Sequence, residues 1–155
     1  MSYTSNSSIL LLEQLIANKL PDEYKEFLEL FTNFLIAEEK KDTGNIFYFD
    51  PIKALLEKEQ IKKDEDIYYF EKLRYLVKED SLTTENVSCH SNNSFIEIER
   101  INSSIIIAGY DGVYLYFDPL DNFSVWEFWL DDGSVGKIAD NFKDFLSQYD
   151  IEYAE

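Results

Sequence analysis

Hydrophobic positions along this chain change period twice. Between Ser8 and Leu35 they recur every three or four residues. From Phe95 to Leu130 they alternate, and near Ile138 the helical spacing returns. Ile9, Leu12 and Ile16 lie at helical spacing behind Ser8, a suitable cap, so a first helix is predicted over about residues 9–19. Leu20-Pro21 breaks it. Pro21 suits the first position of a second helix, and Asp22 and Glu23 favour the positive end of its dipole. Tyr24, Phe27, Leu28, Phe31, Phe34 and Leu35 then mark one apolar face, the cleanest amphipathic pattern in the chain.

The middle is less regular. Residues 38–45 read as a charged loop and Ile46-Phe47-Tyr48-Phe49 as a short strand. Asp50-Pro51 reads as a cap followed by a proline at the first helical position, with Ile52, Leu55 and Leu56 on the buried face. Residues 64–78 are ambiguous. Ile67, Phe70, Leu73 and Val77 suit a helix, which is favoured, although residues 67–70 also fit a strand. Residues 81–94 are rich in Ser, Thr and Asn and read as an irregular loop.

From Phe95 onward, Ile96 and Ile98 alternate with Glu97 and Glu99, as in a strand with one wet face. A turn at Asn102-Ser103-Ser104 precedes a strand over residues 105–110. Asp111-Gly112 is the strongest hairpin signal in the chain. Strands over residues 113–118 and 123–130 follow, separated by a turn at residues 119–122 and closed by Asp131-Asp132-Gly133. Ile138, Phe142, Phe145, Leu146 and Tyr149 predict a C-terminal helix. The expected fold is α+β: N-terminal helices and a C-terminal helix packed on one face of an antiparallel sheet. With 155 residues and neither repeat nor linker, one domain over residues 1–155 is expected, its core at about 8–149.

Two segments carry a family resemblance. Leu20-Pro21-Asp22-Glu23-Tyr24-Lys25-Glu26-Phe27-Leu28 resembles the opening motif of the SUKH superfamily, whose founding members are fungal cell-wall assembly regulators. That motif runs Leu-Pro, two variable residues, an aromatic, Lys, one variable residue, Phe-Leu. The segment from Lys137 to Leu146 resembles the family's final helix, and Asp111-Gly112 sits where the family has its central hairpin. The resemblance implies an α+β binding module rather than an enzyme. Most bacterial members are similar to immunity proteins, which bind and block a cognate polymorphic or contact-dependent toxin, often a nuclease. Fungal members act in cell-wall signalling, and an interaction module of that kind is the alternative.

Charge sharpens the expectation. The formal net charge is −17, which disfavours nucleic acid and favours a basic protein partner or plain solubility. Residues 111–155 hold 11 acids against two bases, Lys137 and Lys143, a net of −9. If helices cover the aliphatic side of the sheet, the open side offers Tyr110, Tyr114, Tyr116, Asp118, Glu127 and Trp129. Asp111, Asp121, Asp131 and Asp132 lie in the adjoining turns. Aromatics make binding hot spots and carboxylates steer basic partners, so these ten residues form the candidate toxin-binding face. The competing reading packs the tyrosines and Trp129 beneath the 81–94 loop or a dimer partner.

No other chemistry stands out. His90 is the only histidine, and neither it nor Cys89 has companions at metal-site or triad spacing. Asp131-Asp132 and Asp64-Glu65-Asp66 lack the calcium-loop pattern. Gly109 and Gly112 do not make a phosphate loop. No cofactor or metal is therefore expected. A single cysteine, no signal-peptide pattern and no apolar run of membrane-spanning length point to a cytoplasmic protein without membrane contact.

Overall fold

A computed structural model of the chain describes residues 3–33, 35–39, 46–80 and 86–153. Its helices are α1 (Tyr3–Ile16), α2 (Asp22–Leu28), α3 (Ile52–Leu55), α4 (Leu73–Asp80), α5 (Ile98–Asn102) and α6 (Phe142–Leu146). Its strands are β1 (Leu35–Glu39), β2 (Ile46–Phe49), β3 (Lys58–Lys62), β4 (Glu65–Tyr68), β5 (Asn86–Cys89), β6 (Ser94–Glu97), β7 (Ile105–Tyr110), β8 (Val113–Asp118), β9 (Ser124–Trp129), β10 (Ser134–Ala139) and β11 (Tyr149–Tyr153). Nine strands make one sheet in the order β11-β1-β2-β7-β8-β9-β10-β5-β6, and β3 and β4 form a separate hairpin.

The centre of the sheet follows directly from local sequence. Asp111 and Gly112 both adopt positive φ, 51° and 82°, the geometry of a two-residue hairpin turn whose twist matches its strands. β7 and β8 therefore start in register at the turn, Tyr110 opposite Val113, and a bulge between Ile106 and Ala108 shifts the pairing further along. Asp118 pairs with Ser124, which fixes β9 against β8.

Side chains from both faces of this sheet are buried. On one face Ile105, Leu115, Phe117 and Val125 meet residues of α1, α2, α3 and α6. The contact is a lattice of edge-on rings: Tyr24 lies 4.9 Å from Phe117, and Phe27 lies 5.1 Å from Phe142 and 4.9 Å from Phe49. Edge-to-face pairs of this kind add roughly 0.5–1.5 kcal/mol each beyond area burial. On the other face Ile106, Tyr116, Trp126 and Phe128 pack with Leu73 of α4 and Ile101 of α5.

The α+β class holds, and the N-terminal and C-terminal helices share one face. The sheet is mixed rather than purely antiparallel, because β5 runs parallel to β10, Val135 opposite Cys89. Several segments depart from the sequence expectation. α1 begins before Ser8, so Ser8 is not its cap. α2 stops at Leu28, where Thr32 and Asn33 are weak helix formers, and Leu35 instead joins a strand paired on both sides. Phe34 and the 40–45 part of the expected charged loop lie outside the described residues, while residues 38 and 39 are in β1. Residues 64–78 combine a strand, a 3-10 turn (Tyr69–Glu71) and α4. Residues 86–94 form a β-hairpin rather than an irregular loop, and residues 81–85 lie outside the described residues. Ile98 opens a helix, not the end of a strand. The final helix is confined to Phe142–Leu146 by an Asn141 cap, whose side chain accepts the Asp144 N–H at 2.8 Å. Tyr149 lies in a strand beyond it.

Candidate functional site

The register of β8 on β9 decides where the ten candidate residues point. Val113 pairs with Trp129, Leu115 with Glu127, and Tyr116 with Trp126. Directly paired residues share a face. Tyr114, Tyr116 and Asp118 therefore point to one side of the sheet, and Glu127 and Trp129 to the other. The single open face expected from strand parity does not form.

Tyr116 and Asp118 are fully buried beneath α4 and α5. Asp118 is a structural anion: it accepts from Arg100 Nε at 2.7 Å and from the Leu120 N–H at 3.1 Å, and Arg100 lies 5.0 Å over the Trp126 ring. Burial raises the Asp118 carboxyl despite this pairing. Asp121 accepts from Ser124 Oγ at 2.7 Å and Lys137 Nζ at 3.1 Å, which hold it below the usual carboxylate range.

Glu127, Trp129 and Asp132 converge on His90, which sequence reasoning treated as an ordinary loop residue. The imidazole stacks on Trp129 with centroids 3.6 Å apart. Its Nε2 is 2.9 Å from Glu127 Oε2 and its Nδ1 2.8 Å from Ser134 Oγ. A Ser-His-Glu set invites comparison with a hydrolase triad, but the hydrogen bonds run the wrong way. The single Ser134 hydroxyl hydrogen goes to Asp132 Oδ1 at 2.6 Å, so Oγ can only accept from His90. A nucleophilic serine must donate to its histidine. The cluster instead ties β5 to β9 and β10, aided by the His90 N–H donated to the Val135 carbonyl at 2.8 Å. Gly136 makes room for it: a Cβ there would stand 2.5 Å from His90 Nε2.

The remaining candidates gather at the turn end of the β7–β8 hairpin. Tyr110, Asp111 and Tyr114 line a cleft of about 460 Å³ with residues from elsewhere in the chain. The pairing of Tyr48 with Gly109 brings β2 to its edge, and the Tyr48 and Tyr110 rings lie 5.1 Å apart. Tyr69 enters from the 3-10 turn, held by its N–H on the Glu57 carbonyl at 2.8 Å. The charged residues lining the cleft are Asp50, Glu57, Glu59 and Asp111, all acidic. Trp129 and Leu130 are exposed beside it, as is Asp131.

Asp50 is the unusual member. Pro51, not Asp50, occupies the cap position of α3, and no side chain among the described residues caps that helix. Asp50 instead lines the cleft, only 6% exposed, and its buried Oδ2 has no hydrogen-bond partner among the described residues. Burial pushes its carboxyl up to about 7; a hydrogen bond from Tyr69 opposes the rise and the charge of Glu57 adds to it. The sequence signal of a strand-terminal Asp before Pro is shared by ordinary helix caps, which concealed this role. Glu57, Glu59 and Tyr69 carried no local signal.

These features define a class: an α+β protein whose mixed sheet is covered on both faces, with a tyrosine-lined acidic cleft at its hairpin end. The model of the SMI1 / KNR4 family (SUKH-1) matches residues 4–148, and the chain belongs to that family. The family includes toxin immunity proteins and SMI1/KNR4 regulators, which are generally not enzymes. No curated protein and no solved structure matches the chain. Among the described residues no helix is long and apolar enough to cross a membrane.

Proposed function

We propose that this protein is a cytoplasmic immunity protein, acting as one domain, that binds a cognate polymorphic or contact-dependent toxin stoichiometrically and blocks it. The observation that carries the reading is the hairpin end. Tyr110, Trp129 and Leu130 are each about two-fifths exposed there, beside the exposed carboxylates Asp111 and Asp131. Neither aspartate is in an ion pair with a described residue. Exposed aromatics flanked by unmatched carboxylates suit a basic protein surface: the rings supply anchors and the charges steer approach. A nuclease toxin needs a basic surface to hold phosphates, and an acidic protein of net charge −17 competes for it.

The test is co-expression with a toxin domain encoded beside this gene. Protection of the cells, and a 1:1 complex by light scattering that weakens as salt rises, is the expected result. A chain that leaves such a toxin fully active and forms no complex with it would sink the immunity reading and favour the regulatory branch of the family.

A further inference from the structure

We infer that the cleft behind Tyr110 is a socket for one cationic side chain, a lysine or arginine presented by the protein partner, with the Asp50 carboxylate as its inner wall. The inference takes the protein nature of the partner from the reading above; the chemistry of the socket stands on the cleft itself. At about 460 Å³ the cleft is of the size that encloses small ligand groups, roughly 300–1,000 Å³. Four tyrosines, Tyr48, Tyr69, Tyr110 and Tyr114, line it, and ring faces attract a desolvated cation.

The decisive feature is the orphan oxygen. Burying a carboxylate without a full set of partners is costly. Tyr69 accounts for one hydrogen bond to Asp50, while Oδ2 is left without one. Among the described residues the nearby cations do not answer it: Lys72 Nζ is 3.1 Å from Glu59 and 5.9 Å from the Tyr69 ring centroid, and Lys58 lies over the Tyr68 ring. Glu59 is thereby matched, which leaves Asp50, Glu57 and Asp111 as the cleft's charges without an ion pair among the described residues. A guanidinium or ammonium entering between the tyrosines, with the small side-chain shift that opens the buried Oδ2, would supply the missing donor and the missing charge together.

Entry of the cation favours the ionised carboxylate, so binding strengthens as pH rises through about 7 and releases a proton. Among the described residues the titratable groups facing Asp50 are Tyr69 of the 3-10 turn, Glu57 after α3 and Tyr24 of α2, and none of these is a cation.

The probes are Nα-acetyl-arginine amide and Nα-acetyl-lysine amide, with the neutral citrulline and norleucine amides as controls. Each is titrated into the full chain and followed by amide chemical shifts. Saturable shifts at Tyr48, Tyr69 and residues 109–114 are expected for the charged amides alone, and the stronger of the two names the preferred side chain. Asp50→Asn should weaken the charged probe at least tenfold, and Glu57→Gln, on the exposed rim, about two- to threefold. Equal binding of the neutral amides, or no loss in Asp50→Asn, overturns the socket. The same variants are then measured against the cognate toxin. A chain that protects cells yet binds neither charged amide and tolerates Asp50→Asn keeps the immunity reading and loses the socket. One that binds the charged amides but neutralises no toxin keeps the socket and loses the immunity reading.

Discussion

Replacing Asp50 with asparagine should make the free protein more stable at pH 8. The folded chain holds a proton on Asp50 up to about pH 7, whereas the unfolded chain releases it near its ordinary value of 3.8. Across that window the folded state binds more protons than the unfolded state, so stability falls as pH rises and levels off above about 7. At ~1.4 kcal/mol per pH unit, the interval amounts to about 4 kcal/mol at most. Relaxation and water penetration around a buried charge reduce such penalties, and roughly 2 kcal/mol is expected. Asparagine keeps an acceptor for the Tyr69 hydroxyl and carries no charge.

The assay is urea unfolding of both chains from pH 5 to 8.5, read by the fluorescence of Trp126 and Trp129. The stability gap in favour of Asp50→Asn should widen up to about pH 7.5 and then stay constant. Glu57→Gln, at an exposed position, controls for the removal of one charge from a strongly acidic protein. Parallel pH curves for wild type and Asp50→Asn, or a gap that narrows with rising pH, would refute the argument. Confirmation together with weaker toxin binding would show a site maintained at the expense of stability.

Four further predictions test the surrounding structure. Gly136→Ala drives a methyl group into His90 Nε2 and should cost about 1–3 kcal/mol in thermal unfolding, strongly non-additive with His90→Ala in a double-mutant cycle. Arg100→Ala strands the buried Asp118 carboxylate and should cost roughly 3 kcal/mol. That loss grows with pH, because Asp118, already raised by burial, rises further once its cation is gone. Tyr24→Phe removes a buried hydroxyl that has no hydrogen-bond partner among the described residues, so stability should be unchanged or higher by up to ~1 kcal/mol; a clear loss in urea unfolding argues for a hidden partner. Asp111→Asn combined with Asp131→Asn should leave stability within about 0.5 kcal/mol while slowing toxin association in stopped-flow at low salt.

What could be read from the sequence follows the range of the interactions. β7 and β8, with Asp111-Gly112 between them, were legible because period-two patterning and turn chemistry are local, and the bounds 105–110 and 113–118 agree. β5, β10 and β11 were not legible. The pattern of β10 is interrupted by Gly136 and Lys137, and β11 is ordered by pairing with β1, more than 100 residues earlier. The site divides in the same way. Tyr110, Asp111 and Tyr114 belong to the hairpin and were visible with it. Asp50, Glu57, Glu59 and Tyr69 reach the cleft through the β2–β7 pairing and the β3–β4 hairpin, contacts that no local pattern encodes. His90 meets Glu127 and Ser134 across the parallel β5–β10 contact, where a sequence separation of 37 or 44 residues hides it.

The acidic excess of the last 45 residues also takes on a different meaning. As a sequence it suggested a charged docking face made by the segment as a whole. In the fold, Asp118 and Asp121 are engaged by Arg100 and Lys137, Glu127 by His90, and Asp132 by Ser134. Reversing the charge of Asp118 or Glu127 would therefore disrupt packing before it reported on any partner, and a loss of binding in such variants carries no information about the interface. Asp111 and Asp131, with Asp50 and Glu57 from the first half of the chain, are the acids left to meet a cation at the hairpin end. Docking specificity in this reading resides in a few unmatched carboxylates beside exposed and half-buried tyrosines, while the net charge acts at longer range, on the rate of encounter.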